Sequence, residues 1–220
     1  GALHRTWRRR VSPHLDHRDS CALMGFHLEI PPGVLHPGHF ASSQFLARHL
    51  GTLPYQNKWV ADIGTGSGLL ALVVANKGAT VTALDINPQA VTCARDNAFR
   101  NGLGDRITAI ESDVFGAVPP VMRFDYVVTN PPFYPRDARD LADQAFAAGS
   151  RYDFFITLTH QIRNRLTEKG MLILVHSSDV NFAPIADMFA SRGLIEHSVR
   201  HKRGLFETLS VREYRIDLTT

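Results

Sequence analysis

Residues 59–72 read Trp-Val-Ala-Asp-Ile-Gly-Thr-Gly-Ser-Gly-Leu-Leu-Ala-Leu: an apolar run, three glycines at alternate positions, then a second apolar run. Neither a continuous strand nor a continuous helix passes easily through Gly64, Gly66 and Gly68, since glycine weakens both and favours positive φ. The stretch therefore predicts strand, tight turn and helix. A strand followed by a helix returns to its sheet by a crossover, so parallel neighbours must exist.

The sequence that follows supplies them. Residues 80–86 predict a second strand, and Asn87-Pro88 then gives an N-cap and a proline at the first helical position. That helix shows Val91, Ala94 and Ala98 on one face and stops at Asn101-Gly102. Residues 107–112 and 124–129 predict strands three and four. Phe155, Leu158, Ile162 and Leu166 recur at helical spacing, which predicts a helix ending at Lys169-Gly170. Residues 171–176 give a fifth strand and residues 182–191 a helix. Residues 194–202 and 205–216 are extended runs separated by a turn at Arg203-Gly204, with no room for a helix between them. They predict an antiparallel β-hairpin at one edge. The fold class expected is α/β: a doubly wound, seven-stranded, mostly parallel sheet ending in an antiparallel hairpin.

Before residue 59 the signals weaken. Residues 1–24 show no steady periodicity, residues 26–30 alternate like a short strand, and Pro31-Pro32-Gly33 turns the chain. Phe45, Leu46 and Leu50 then line one face of a helix over 40–50. The expected organisation is a basic leader with a short strand over 1–33 and one α/β domain over 34–220. Net charge is +3, with Arg5, Arg8, Arg9, Arg10 and Arg18 gathered in the leader. This suggests a solvated segment, with RNA or an acidic partner as the sharper reading. Cys21 and Cys93 form no CxxC pair, which points to a reducing, cytoplasmic setting. No run of about 18 apolar residues predicts a membrane span. His14 and His17, and His36 and His39, have ligand spacing, but the adjacent sequence completes neither set, so no metal is expected.

In such a sheet ligands bind beyond the carboxyl ends of the strands, where strand order reverses. Gly64, Thr65, Gly66 and Gly68 follow the first strand. Asp85, with Ile86, ends the second, where a carboxylate can accept two ribose hydroxyls. Asp113, with Val114, ends the third, in reach of an adenine amino group. The glycine spacing is GxGxG rather than the GxGxxG that brings pyrophosphate to a helix N-terminus. Asp62 also places negative charge beside the turn, which discourages phosphate and suits an ammonium, met directly or through water. S-adenosylmethionine carries an ammonium, a sulfonium, a ribose and an adenine, and no phosphate.

Asn130-Pro131-Pro132-Phe133 follows the fourth strand. A planar amide or amine is a poor nucleophile because its lone pair is delocalised. A site that accepts both its N–H bonds turns that lone pair outward. Asn130 has a side-chain carbonyl and Pro131 a main-chain carbonyl, Pro131 and Pro132 stiffen the backbone, and Phe133 can stack on a planar acceptor.

The run from Asp62 to Gly68, with Asp85 and Asp113, resembles the class I S-adenosylmethionine-dependent methyltransferases. Asn130-Pro131-Pro132-Phe133 is similar to the NPPY/F motif of their amino-methyltransferase branch. Within it the chain is most similar to the HemK/PrmC glutamine methyltransferases, through Ala145-Phe146-Ala147-Ala148-Gly149 and Glu207-Thr208-Leu209-Ser210-Val211. The resemblance implies a Rossmann-like fold, S-adenosylmethionine as cofactor, and methyl transfer to a planar nitrogen. It makes Asn130, Pro131, Pro132 and Phe133 catalytic, and Asp62, Gly64, Thr65, Gly66, Gly68, Asp85, Ile86, Asp113, Val114 and Asn130 cofactor-binding. The implied partner is a protein, a translation release factor being the family example, with an RNA or DNA base amine as alternative; the expected state is a monomer or weak dimer.

The departures bear on the acceptor. Only 33 residues precede Val34, too few for the helical domain with which bacterial members dock the release factor. The family's entry motif is replaced by His36-Pro37-Gly38-His39-Phe40-Ala41-Ser42-Ser43. Ser150 replaces the second glycine of the later pair, ahead of Arg151-Tyr152-Asp153. Residues 35–43 and 133–152 are expected to flank the acceptor.

Overall fold

The computed structural model describes residues 17–218. Strands β1 (Asp19–Leu23) and β2 (Phe26–Ile30) form a two-stranded antiparallel sheet. Helix α1 (Ala41–Leu50) leads into β3 (Trp59–Ile63), α2 (Leu69–Ala75), β4 (Thr80–Asp85), α3 (Pro88–Arg100), β5 (Ile107–Glu111) and β6 (Phe124–Thr129). There follow α4 (Asp153–Ile162), β7 (Leu166–Ser177), α5 (Ala183–Ala190), β8 (Leu194–Arg203) and β9 (Thr208–Ile216). The main sheet has seven strands in the order β5-β4-β3-β6-β7-β9-β8. Its first five strands run parallel, and β9 then β8 join antiparallel. Strand order reverses between β3 and β6, so the ligand crevice of a doubly wound sheet falls where Gly64 and Asn130 emerge.

Apolar side chains fill both faces of the sheet. Leu28, Ile30, Leu46, Leu50, Leu72 and Val74 belong to the core on one side; Phe115, Phe124, Phe155, Leu158, Ile162 and Phe189 belong to the other. Each such burial stabilises the fold by about 1.5–3 kcal/mol. Helix α2, buried along its whole length, is the floor on which the glycine turn rests.

Three expectations need correction. Strand β1 lies in a segment without readable periodicity; it is mostly exposed, and its pairing with β2 rather than burial defines it. The long helix ends at Ile162, not Lys169. The Arg165 carbonyl accepts the Phe124 N–H (2.8 Å), and Leu166 starts β7 opposite Phe124. Lys169-Gly170 is therefore strand, and Gly170 is there because a Cβ would stand 2.9 Å from the Phe124 carbonyl oxygen. Its burial made Leu166 mimic one more turn of helix. The hairpin turn is residues 204–207, one residue past Arg203, closed by Gly204 N–H donating to the Glu207 carbonyl at 2.8 Å.

Buried polar contacts tie the periphery to the sheet. The Asn97 amide on α3 accepts the Glu29 N–H (2.9 Å) and donates to the Glu29 carbonyl (3.0 Å) and to the Ser67 carbonyl in the glycine turn (2.9 Å). Asn101 repeats the pattern on His27 (3.0 and 2.8 Å), so α3 holds β2 by two side-chain amides. His49 Nε2 on α1 lies 2.8 Å from Glu213 Oε1 on β9, whose other oxygen accepts from Ser198 at 2.7 Å.

His176 stacks on Phe182 (4.1 Å between ring centres), and its Nε2 accepts from Arg212 Nε at 2.9 Å. Burial, with the neighbouring Arg212, pushes its pKa down to about 4. A histidine depressed in the fold stabilises it at neutral pH, and that stability is lost as pH falls from about 6.5 towards 4. His176→Gln, which can still accept from Arg212, should lose about 2 kcal/mol less than wild type between pH 7.5 and 5, by urea unfolding. Asp62, whose pKa is raised to about 7, acts oppositely over this interval in both proteins, so the difference isolates His176.

Candidate active site

The glycine turn hangs from two anchors. Gly64 and Thr65 N–H groups both donate to the Leu84 carbonyl (2.8 and 3.0 Å), fixing the turn to β4. Behind it Asp62, fully buried, accepts from Thr65 Oγ1 (2.7 Å) and Ala71 N–H (3.1 Å) through one oxygen. Its other oxygen is buried without a hydrogen-bond partner. Burial is what raises its pKa, the two hydrogen bonds working against it. Gly64 (φ +69°) and Gly66 (φ +53°) have open space where a Cβ would stand, whereas at Gly68 (φ +83°) it would meet Ala94 Cα at 3.1 Å. The first two glycines leave room for a ligand. The third lets α3 pack on the turn, and so is not a cavity contact.

Asp85 ends β4 with both oxygens engaged, Gly66 N–H on one and Asn87 N–H on the other, each at 2.9 Å. Burial raises its pKa. At the end of β5, Ser112 Oγ donates to the Val114 carbonyl (2.9 Å) and accepts from Ala117 N–H (3.0 Å). This holds Val114 at φ +50°, a strained conformation for a β-branched residue, and turns Asp113 and Val114 to the crevice.

Those strand ends open on one cavity of about 430 Å³, lined by Gly64, Gly66, Asp85, Ile86, Asp113 and Asn130 among others. That is within the usual size of small-molecule sites, ~300–1,000 Å³. Among the described residues its wall includes Asp85, Asp113, Asp137 and Asp153 and no Lys, Arg or His. Such a wall opposes phosphate and favours a ligand bearing ammonium and sulfonium charges. The donor set and the glycine cradle thus fit S-adenosylmethionine.

The acceptor side is built by Asn130 and the loop after it. Asn130 Nδ2 donates to Ser43 Oγ on α1 (3.0 Å), which leaves its carbonyl oxygen buried without a partner. Pro132 lines the cavity, whereas Pro131 is buried and Phe133 packs on the core beside α1 and α2. Phe133 is half-buried and does not line the cavity. Residues 134–149 are stapled by Tyr134 N–H to the Phe146 carbonyl (2.9 Å), Ala148 N–H to the Tyr134 carbonyl (2.8 Å), and the Asp143 carboxylate between Arg136 and Arg139. The Arg136 hydrogen bond, with that of Arg139, holds the Asp143 carboxyl far below the usual range. The staple sets Gln144 in the wall, its side-chain oxygen buried without a partner. Sequence reasoning passed over Ser112 and Gln144: neither belongs to a motif, and only packing shows where they point.

The His36–His39 pair gains a carboxylate, Asp19, at 3.5 and 4.0 Å from their Nε2 atoms. His36 Nδ1 accepts the Gly38 N–H (3.1 Å), so in the neutral ring Nε2 carries the proton and faces Asp19. In a metal site the outer ring nitrogen donates instead. The three side chains form a cluster next to Pro37 of the cavity wall, their ligand atoms within 4.8 Å of one another, a spacing that a metal ion could bridge. His14, Arg5, Arg8, Arg9 and Arg10 lie outside the described residues.

Comparison with known proteins agrees with this geometry. The methyltransferase small domain profile matches residues 31–202, and the chain belongs to that family. It is a class I S-adenosylmethionine-dependent N-methyltransferase. A Methanocaldococcus jannaschii relative, provisionally named a protein N5-glutamine methyltransferase, is 30% identical over 202 residues, 87% of this chain and 97% of its own. A tRNA1(Val) (adenine(37)-N6)-methyltransferase of Citrobacter koseri is 34% identical over 125 residues, covering 53% of this chain and 49% of its own. A release factor glutamine methyltransferase of Fusobacterium nucleatum is 38% identical over 80 residues, 36% of this chain and 22% of its own. The chain thus matches almost all of the archaeal relative but half or less of the other two. The fold is shared with the T. thermophilus 16S rRNA N2 G1207 methyltransferase in complex with AdoMet and guanosine. The TM-score is 0.64 at 23% identity, over 90% of this chain and 50% of that one. Among the described residues, no helix is long and apolar enough to cross a membrane.

The two kinds of glycine separate by experiment. Gly66→Ala should weaken S-adenosylhomocysteine binding at least ten-fold in calorimetry while lowering stability by about 1 kcal/mol. Gly68→Ala, facing Ala94, should show the larger loss in thermal unfolding. Asp85→Ala should abolish measurable binding at micromolar ligand.

Proposed function

We propose that the chain transfers a methyl group from S-adenosylmethionine to the side-chain amide nitrogen of a glutamine in a protein substrate. The observation that carries this is the Asn130 carbonyl oxygen, buried without a donor while Ser43 holds the other end of the same amide. A buried acceptor left unpaired costs about 1–3 kcal/mol, and an incoming N–H relieves that cost. The M. jannaschii relative, matched over nearly its whole length, supports glutamine as the acceptor.

When bound, S-adenosylmethionine supplies an electrophilic methyl on a sulfonium. The protein's part is alignment. Asn130 Oδ1, turning slightly into the cavity, accepts one N–H of the amide and the Pro131 carbonyl accepts the other, which points the nitrogen lone pair at the methyl. Phe133, seated on the core, fixes the Pro131-Pro132 backbone so that this carbonyl does not yield. Once alkylated, the nitrogen is acidic enough to release its proton to water, so no side-chain base is required.

The test is transfer of labelled methyl to a purified release factor and, separately, to unmodified transfer and ribosomal RNA, with the product identified by mass spectrometry. N5-methylglutamine is expected. Methyladenine or methylguanine instead would replace glutamine with a base amine, the activity named for the C. koseri relative. Asn130→Ala should lower kcat about 100-fold and change S-adenosylhomocysteine affinity little. Ser43→Ala should lower kcat about ten-fold, with Ser43→Thr restoring it, because the hydroxyl orients the amide.

A further inference from the structure

Strand β8 is the outer edge of the sheet, and most of its residues are exposed. Its last four are Arg200, His201, Lys202 and Arg203, all exposed, and the turn after them carries Leu205 and Phe206 at 96% and 94% exposure. Because β7 runs parallel to β3 and β6 and β9 runs against it, this turn stands at the edge of the sheet where the cavity opens. It is fastened there: Ser178 N–H donates to the Thr208 carbonyl (2.8 Å), and Thr208 N–H to Ser178 Oγ (2.9 Å). Tyr134, next after the Asn-Pro-Pro-Phe run, is close enough that burial, Asp179 and Glu207 together raise its phenol pKa.

Charged residues on an edge strand commonly serve only to prevent strand addition, and the register shift between Glu196 and Ser198 would help in that. That role explains the cations but not a phenylalanine and a leucine held out at the tip. A protein interface of ordinary size needs an apolar patch around such anchors; here the strand leading to the tip ends in Arg200, His201, Lys202 and Arg203, with Val199 before them and Asp179 and Glu207 on the side of Tyr134. Alternate residues of a strand are about 6.7 Å apart on one face. Arg200 and Lys202 therefore form one cationic row and His201 and Arg203 another, each leading to the aromatic tip. Cationic rows that follow a backbone and an exposed ring that stacks on a base are what unpaired nucleic acid requires.

We propose that the β8–β9 hairpin is a docking arm for single-stranded RNA: Arg200 and Lys202 contact successive phosphates from one face, Arg203 contacts a third from the other side of the free edge, and Phe206 stacks on an unpaired base beside the cavity mouth. The inference concerns where RNA is held rather than which atom is methylated, so its test uses neither cofactor nor acceptor.

The test is fluorescence anisotropy of a labelled 12-nucleotide single-stranded RNA with the full chain over a salt series. Three phosphate contacts give a slope of log K against log salt of about −2. Phe206→Ala should weaken binding about ten-fold with the slope unchanged, and Phe206→Trp should restore it. Arg200→Ala/Lys202→Ala/Arg203→Ala should flatten the slope. Thermal unfolding and S-adenosylhomocysteine affinity should stay at wild-type values in all three. The proposal is overturned if the wild type does not bind at 50 mM salt. It is equally overturned if Phe206→Ala binds as tightly as wild type, which would assign binding to another basic segment, or if a poly-glutamate peptide competes as well as unlabelled RNA.

Discussion

The turn after β3 is held open by a carboxylate that no solvent reaches. Asp62 stands behind three left-handed glycines and grips Thr65, between the first two of them, and the first turn of α2 beyond the third. Burial makes its charge expensive, and those two hydrogen bonds offset part of the cost. The cradle, the start of α2 and the approach of α3 all depend on this clamp. Asp62 shapes the site from behind the cavity wall, a different part from meeting a ligand's ammonium directly.

Binding and chemistry are divided across the switch point. On the β4–β5 side, Asp85, Asp113 and the strained Val114 line a cavity whose described wall carries acidic but no basic side chains. On the β6 side, the Asn130 amide is fixed by a hydroxyl from α1 and faced by a loop tied down by Arg136, Arg139 and Asp143. The loop is anchored on charged pairs that do not line the cavity, so rigidity is gained without a cation in the described wall.

Where a rule of local backbone chemistry operated, the sequence was readable. The glycine turn, the Asn87-Pro88 helix start, the strand-end aspartates and the terminal hairpin all follow from one or two residues acting on their own neighbourhood. The failures share a different cause. Leu166 has helical spacing from Ile162, yet its pairing with Phe124 takes it into β7, and that long-range partner is not visible in the local pattern. β1 exists only because β2 pairs with it. Gly68 and Phe133 sit in recognised motifs, but which way each faces is decided by α3 and by the core. Motif reading identified the residues of the site; tertiary packing assigned their directions.

Asn97 has a consequence for how the N-terminal hairpin and the cofactor turn behave together. One amide group bridges Glu29 in β2 and the carbonyl of Ser67, between the second and third glycines. Displacing β2 unpairs the amide oxygen, and displacing the turn unpairs a hydrogen on its nitrogen. The two segments therefore share a mechanical joint. A hand laid on the outer hairpin is felt at the floor of the cavity, and ligand that stiffens the turn also tightens the strap wrapped around the outside of α3.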